Sequence, residues 1–145
     1  ASNDIMATVM MGCHHLHFHD RIALLDSIKS CGKEKNFRMA RRIHSDIIER
    51  DLIAKDVYIA TALITMYARC GVIEKAREVF DQIPVRNVVS WNALISAYIH
   101  HGHGDEAIIC FKKMKDQGFS PNEVTFTCIL KDGGIVGTLK IGERC

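Results

Sequence analysis

One pattern of residues occurs twice in this chain, 31 positions apart, and it restricts the fold more than any other feature. The two copies are Ala62-Leu63-Ile64, Tyr67, Gly71, Ala76, Phe80 and Ala93-Leu94-Ile95, Tyr98, Gly102, Ala107, Phe111. A small residue of the same unit extends the series, with steps of 36, 31 and 35, at Ala40, Ala76, Ala107 and Gly142. Self-similarity with a period of about 30–40 residues is typical of a solenoid, in which stacked units bury one continuous core.

Each unit is predicted to be a pair of helices joined by a short turn. In the unit that begins at Val88, apolar side chains at helical spacing predict a first helix over 90–101, followed by Gly102. A second helix then starts near Asp105 and ends before Gly118 and Pro121. The preceding unit has the same signals, with helices near 58–69 and 73–83. The sequence therefore predicts an all-α protein, an α-solenoid of helix-turn-helix repeats in a right-handed superhelix, with the recurring small residues at close-packed positions.

Two aromatic residues, Trp91 and Phe126, could either stack on a nucleic-acid base or fill the core. They occupy equivalent positions in consecutive units, and they share a helical phase with Leu94 and Ile129, respectively. This phase favours a core position for both rings.

The composition leaves several kinds of partner open. The net charge is +2, a mildly basic balance that neither demands nor excludes nucleic acid. No apolar run approaches the roughly 18 residues that a membrane span requires, so no membrane partner is expected. Residues 1–20 are predicted to be a poorly ordered leader. They contain the His-rich run 13–19, but Asp4 and Asp20 and the absence of arginine are unlike an organelle transit peptide.

The six cysteines form neither a metal-site pattern nor a recognisable disulfide framework, because no C-x-x-C pair is present. Reduced, structural thiols are therefore expected. The H-x-E and P-C-x-x-C signatures of zinc deaminases are absent from the sequence. No metal, no cofactor and no catalytic residue is predicted, and the chain is not expected to be an enzyme.

Two phrases and a succession of unit lengths resemble the pentatricopeptide repeat of plant organelle proteins. The phrases are Val88-Val89-Ser90-Trp91-Asn92-Ala93-Leu94-Ile95 and Met114-Lys115-Asp116-Gln117-Gly118-Phe119-Ser120-Pro121-Asn122. Units at 21–56, 57–87 and 88–122 are similar to the long, short and standard repeats (L, S and P types) of the PLS subclass, with a partial L-type repeat at 123–145. PLS arrays usually guide cytidine-to-uridine editing of organelle transcripts. The resemblance therefore implies that the chain is part of a longer RNA-editing or RNA-processing factor in a mitochondrion or chloroplast.

The resemblance further implies that the chain binds single-stranded RNA, with one base per repeat. Two pairs of residues would read bases, Thr61 with Asn87 and Asn92 with Asn122. The bases would stack on Tyr58, Val89 and Val124. Further RNA contacts are expected from Thr127, Arg69 and Lys33, the two cations facing phosphates.

Group chemistry suggests which bases these pairs prefer. An Asn amide carries both a donor and an acceptor, as do the edges of adenine and cytosine. The short Thr61 leaves room for a purine, whereas Asn92 reaches further, toward a pyrimidine. The first pair is therefore expected to favour adenine and the second cytosine, with uracil next. Leu25 departs from the pattern, because it stands where the first unit should have a polar reader.

Less specific explanations exist for the same features. An Asn that precedes a helix, such as Asn87 or Asn122, is commonly a helix cap. The alternative function is a scaffold of tetratricopeptide-like repeats that binds other proteins, although such repeats keep a steady period of 34 residues. Other editing or processing proteins are additional expected partners.

Overall fold

The computed structural model describes residues 18–130, and within that range the chain forms eight helices and no strand. In chain order they are α1 (Phe18–Glu34), α2 (Phe37–Glu49), α3 (Leu52–Lys55), α4 (Val57–Arg69), α5 (Ile73–Gln82), α6 (Val88–His100), α7 (Gly104–Asp116) and α8 (Glu123–Leu130). The first helices of successive units are α1, α4, α6 and α8, and the second helices are α2, α5 and α7. The helices predicted for the two central units agree with the observed ones within two residues at each end.

Local signals account for where the helices begin and turn. Asn87 caps α6 through a reciprocal pair with Ser90, in which the Ser90 N–H donates to Asn87 Oδ1 (2.9 Å) and the Asn87 N–H to Ser90 Oγ (3.0 Å). Asp56 caps α4 by accepting from two backbone N–H groups. Gly71 and Gly102 take left-handed conformations, with φ of +82° and +75°, at equivalent turns between helices. Because such a turn favours glycine, the residue recurs at the repeat interval.

The first helices form a layer in which α1 packs on α4, α4 on α6, and α6 on α8. Each of the first three also packs on the second helix of its own unit, and one continuous core lies between them. Ala40, Ala76 and Ala107 are buried, as predicted for the small residue of each unit, while Gly142 lies outside the described residues. This arrangement is the predicted α-solenoid.

The two aromatic residues that were expected in the core behave differently. Trp91 is buried, with its ring 4.7 Å from that of Phe80 and 6.1 Å from that of Phe119 between centroids. The prediction for Phe126 is wrong, because this side chain is 45% exposed. Among the described residues, Phe126 has one aromatic neighbour, Phe111, at 6.1 Å between centroids, whereas Trp91 has two.

Most of the leader predicted for 1–20 lies outside the described residues, and residues 18–20 form the first turn of α1. Among the helices described within 18–130, none has the length and apolar character that crossing a bilayer requires.

Candidate nucleic-acid interface

The layer of first helices has an exposed face on which equivalent residues form rows. The second, fifth, ninth and thirteenth residues of a unit lie on one face of its first helix, because they are separated by steps of three or four. Since the first helices pack side by side, each of these offsets makes a row across the layer. Three of them are the apolar row at the second residue, the central row at the fifth, and the cationic row at the thirteenth.

The apolar row consists of four exposed side chains near the start of the helices. Their exposed fractions are 40%, 54%, 42% and 55% for Ile22, Tyr58, Val89 and Val124, respectively. Side chains of this type are usually buried, so four at equivalent positions form a surface suited to a flat apolar ligand. Ile22 is not among the residues predicted from the sequence, although its offset from the start of the first unit identifies it.

The central row contains Asn92, which the structure brings together with Asn122. Asn92 Nδ2 donates to Asn122 Oδ1 (3.1 Å), although the two residues are 30 positions apart. Asn122 Oδ1 also accepts from the backbone N–H of Thr125 (3.1 Å) and so caps α8. The Thr125 hydroxyl donates to Asn92 Oδ1. These contacts leave Asn92 only 6% exposed, more buried than a free surface reader would be.

Both amides of this pair keep hydrogen-bonding capacity. A carboxamide has two N–H donors and two acceptor lone pairs. Asn92 uses one donor and one lone pair on its neighbours, so one of each remains. In Asn122 the oxygen faces the start of α8, and the NH₂ group has no hydrogen bond to a described residue. The pair can therefore still bind a ligand edge that has both a donor and an acceptor.

The unit before it has a different arrangement of the same two positions. The Thr61 hydroxyl donates to the Val57 carbonyl (2.7 Å), so it is left as an acceptor for any further partner. Asn87 Oδ1 is occupied by the cap at α6, which leaves its NH₂ group as a donor. No hydrogen bond among the described residues joins Thr61 to Asn87. This unit thus presents one acceptor and one donor from separate side chains.

The first unit has no comparable pair. Leu25 is apolar and partly buried, and Asp56, at the final position of the unit, is paired with Arg21 at 2.7 Å. Burial alone would raise the pKa of Asp56, but the hydrogen bonds from Arg21 and from the Ile59 and Tyr58 N–H groups outweigh it, so the pKa is lowered. Because this carboxylate is already occupied by Arg21 and by the α4 cap, it is not free for a ligand.

The cationic row lies at the far end of the first helices, where the side chains of Lys33 and Arg69 are exposed and charged and the exposed imidazole of His100 takes the same position in the third unit. It borders a groove of about 530 Å³ between the ends of α1, α4 and α6, which is also lined by Lys35, Thr65 and Ser96. None of the residues in the three rows is acidic. His100 is not among the residues predicted from the sequence, where it is one of three histidines near Gly102.

Two further contacts complete this surface. Nε2 of His101 hydrogen-bonds to the Ala68 carbonyl and so joins the end of α6 to the end of α4. Thr127 extends the central row onto α8, where it is exposed and its hydroxyl donates to the Glu123 carbonyl (2.7 Å). Thr127 therefore resembles Thr61 in presenting an acceptor.

The described thiols are buried or half-buried. Cys31, Cys70, Cys110 and Cys128 are free, and burial raises the pKa of Cys110 to about 11. Between residues 18 and 130, no group of three His, Cys, Asp or Glu side chains is placed to hold a metal ion. Cys13, Cys145 and residues 13–17 of the His-rich run lie outside that range.

Comparison with known proteins agrees with the helical hairpins. A family model described as PPR repeat matches residues 58–88, and one described as PPR repeat family matches residues 86–132. A chloroplastic pentatricopeptide repeat-containing protein of Arabidopsis thaliana is 37% identical over 131 residues, which is 90% of this chain and 21% of the relative. Another is 44% identical over 123 residues, or 85% of this chain and 14% of the relative. The chain thus spans about a fifth of the first relative and less of the second. The two matched segments coincide with α4–α5 and α6–α8, and together they cover more than half of the chain. The chain therefore belongs to the pentatricopeptide repeat family.

Proposed function

We propose that this chain binds single-stranded RNA along the exposed face of its first helices, with one base per unit. The observation that carries the proposal is the order of the three rows, which runs from apolar through polar to cationic side chains without an acidic residue. A nucleotide has the matching parts: an apolar base face, a hydrogen-bonding base edge and an anionic phosphate. The function is binding, and no reaction is assigned to these residues.

The first base would lie between Tyr58 and Val89 and be read by Thr61 and Asn87. Thr61 offers an acceptor, because its hydroxyl proton is used on the Val57 carbonyl. Asn87 offers a donor, because its oxygen caps α6. Adenine has an amino donor next to a ring-nitrogen acceptor, whereas guanine presents an acceptor oxygen where adenine has its amino group. This complementarity supports adenine at the first position.

The second base would lie between Val89 and Val124 and be read by Asn92 and Asn122. One donor and one acceptor remain on Asn92, and the Asn122 NH₂ group adds a donor. Cytosine carries an amino donor beside a ring-nitrogen acceptor and therefore suits this pair. Uracil has a ring N–H instead of that acceptor, so it ranks second.

The first unit is not proposed to read a base, since Leu25 is apolar and Asp56 is held by Arg21. Alternation of one such unit with readable ones is consistent with the PLS subclass. We infer from this that the chain is part of a longer organelle RNA-editing or RNA-processing factor, in a mitochondrion or chloroplast. The names of both relatives described above include the word chloroplastic, which supports an organelle as the compartment.

A substitution of Asn122 tests the base preference proposed for the pair Asn92 and Asn122. The change Asn122→Asp keeps a good helix cap but replaces the outward amide donor by a carboxylate oxygen. The base preference of the variant should shift from cytosine toward uracil, because the ring N–H of uracil can donate to that oxygen. The measurement is a titration of the 145-residue chain with short single-stranded RNAs that differ at one base, followed by NMR.

Weak binding is expected and determines the method. Stacking contributes about 1–3 kcal/mol per base, so two bases supply roughly 2–6 kcal/mol before the cost of association. A dissociation constant of 1 mM corresponds to about 4 kcal/mol, so binding is expected at best in the high micromolar range. An unchanged ratio of cytosine to uracil affinity in Asn122→Asp would refute the code. Nanomolar, base-specific binding by the chain alone would mean that contacts outside the two pairs dominate.

A further inference from the structure

Thr125 is a polar residue that is fully buried, and its hydroxyl lies between the two proposed readers of the second base. The hydroxyl oxygen lies 2.5 Å from Asn92 Oδ1 and 3.2 Å from Asn122 Oδ1, and because a hydroxyl has a single proton, it donates to the nearer oxygen, that of Asn92. It accepts from the Asn122 N–H at 3.1 Å. The backbone N–H of the same residue donates to Asn122 Oδ1 at 3.1 Å. Thr125 therefore contacts both readers, although it belongs to the next unit and is not itself exposed.

These contacts determine which way both amides face. A backbone N–H can only donate, so Asn122 must place its oxygen toward α8 and its NH₂ group outward. Asn92 must then turn its NH₂ group toward that oxygen, because two carbonyl oxygens in contact would repel. With the hydrogen bond to Asn122 alone, the Asn92 carboxamide would be free to tilt about that one bond. The Thr125 hydroxyl supplies the second anchor, which fixes the plane of the amide.

We propose that Thr125 is a positioning residue for base discrimination, and this inference rests on the function proposed above. Its hydroxyl holds the Asn92 carboxamide in the orientation that presents the remaining donor and acceptor to the base. An amide held only by its hydrogen bond to Asn122 could tilt about that bond, so its remaining donor and acceptor would point in several directions and would distinguish cytosine from uracil poorly. An amide fixed by two hydrogen bonds matches only one of these edges, so selectivity depends on a hydroxyl that does not touch RNA.

The preceding unit provides an internal control. Ser90 is the residue equivalent to Thr125, is also fully buried, and makes the same reciprocal cap with Asn87. Its hydroxyl, however, donates to the Asn87 main-chain carbonyl (2.7 Å), and no hydrogen bond joins it to Thr61. Ser90 is therefore a cap that does not hold the other reader. Loss of its hydroxyl should affect α6 without affecting the choice of the first base.

The experiment compares Thr125→Val, which keeps the shape but loses the hydroxyl, with Thr125→Ser, which keeps the hydroxyl but loses a methyl group. The probes are seven-nucleotide single-stranded RNAs that carry each of the four bases in turn at the nucleotide read by Asn92 and Asn122. They are titrated against the 145-residue chain. In Thr125→Val the preference for cytosine over uracil should fall about threefold to tenfold, the effect of one hydrogen bond. Thr125→Ser should restore the preference, and Ser90→Ala should leave the preference for adenine at the first position unchanged.

A measurement without RNA separates this inference from the proposed function. The Asn92 side-chain NH₂ group should give rigid NMR relaxation in the unmodified chain and in Thr125→Ser, and mobile relaxation in Thr125→Val. If Thr125→Val lowers the affinity for all four bases by one common factor, the residue is only a helix cap and the inference is overturned. An Asn92 amide that stays equally rigid in Thr125→Val overturns it too. Absence of any base preference in the unmodified chain, with the Asn92 amide fixed as described, would instead overturn the proposed function.

Discussion

Replacing Ala107 by leucine tests the close packing of α6 against α7. Ala107 is 1% exposed and belongs to the continuous core, at the position that Ala76 occupies one unit earlier. Leucine would add three heavy atoms at a site without free volume, since protein interiors are packed as densely as organic crystals. Overpacking of this kind costs about 1–3 kcal/mol of unfolding free energy. For a chain of 145 residues this corresponds to a melting temperature lower by about 3–10 °C.

The assay is thermal unfolding followed by circular dichroism, with urea unfolding as a second measure. The matched control is Ala23→Leu, the same chemical change at an exposed position of α1. This variant should unfold within about 0.5 kcal/mol of the unmodified chain, because it creates no internal contact. Equal melting temperatures for Ala107→Leu and Ala23→Leu would refute the assignment of Ala107 to a close-packed position, and with it the alignment of the units.

Two further predictions concern charge and thiol chemistry. Arg69→Gln should weaken binding to every RNA by a similar factor and reduce the slope of log affinity against log salt by about 0.7, measured between about 50 and 200 mM salt. Arg42→Gln, an exposed position on α2 away from the rows, should leave that slope unchanged, and an equal effect of the two changes would contradict the phosphate role of Arg69. Cys110, whose pKa is raised to about 11 by burial, should react with a thiol reagent at about pH 8 only on unfolding. The half-buried Cys128 should react in the native protein, and mass spectrometry showing equally fast labelling of both thiols would contradict the burial of Cys110.

The helices could be predicted from the sequence because their determinants are local and repeated. Gly71 and Gly102 mark equivalent turns, and the apolar period between the turns is the same in both units. Each unit therefore supports the assignment of the other. The apolar row could be predicted by the same counting, and Ile22 differs from its other members only in belonging to a more diverged unit.

The geometry of the proposed readers was not predictable in this way. The burial of Asn92 depends on a hydrogen bond to Asn122 and on a threonine in the next unit, and no local pattern contains these contacts. Phe126 was misassigned because its helical phase describes only the side of the ring that faces α7, whereas burial as complete as that of Trp91 also requires a second neighbour, which Phe119 supplies to Trp91 from the segment after α7. His100 is the thirteenth residue of its unit, as Lys33 and Arg69 are of theirs. It stands close to two other histidines, so the sequence alone does not single it out.

The cluster of Asn92, Asn122 and Thr125 has a consequence for building new arrays from these units. A segment exchanged at the unit boundaries, Val88–Asn122, would bring both readers into the new array. The residue at the position of Thr125, however, would come from the receiving protein. A segment of the same length that runs from Trp91 to Thr125 would carry the whole hydrogen-bonded cluster with it. Chimeric proteins should therefore keep the base preference of the donor more faithfully when the junctions lie three residues inside the first helix than when they follow the sequence repeat.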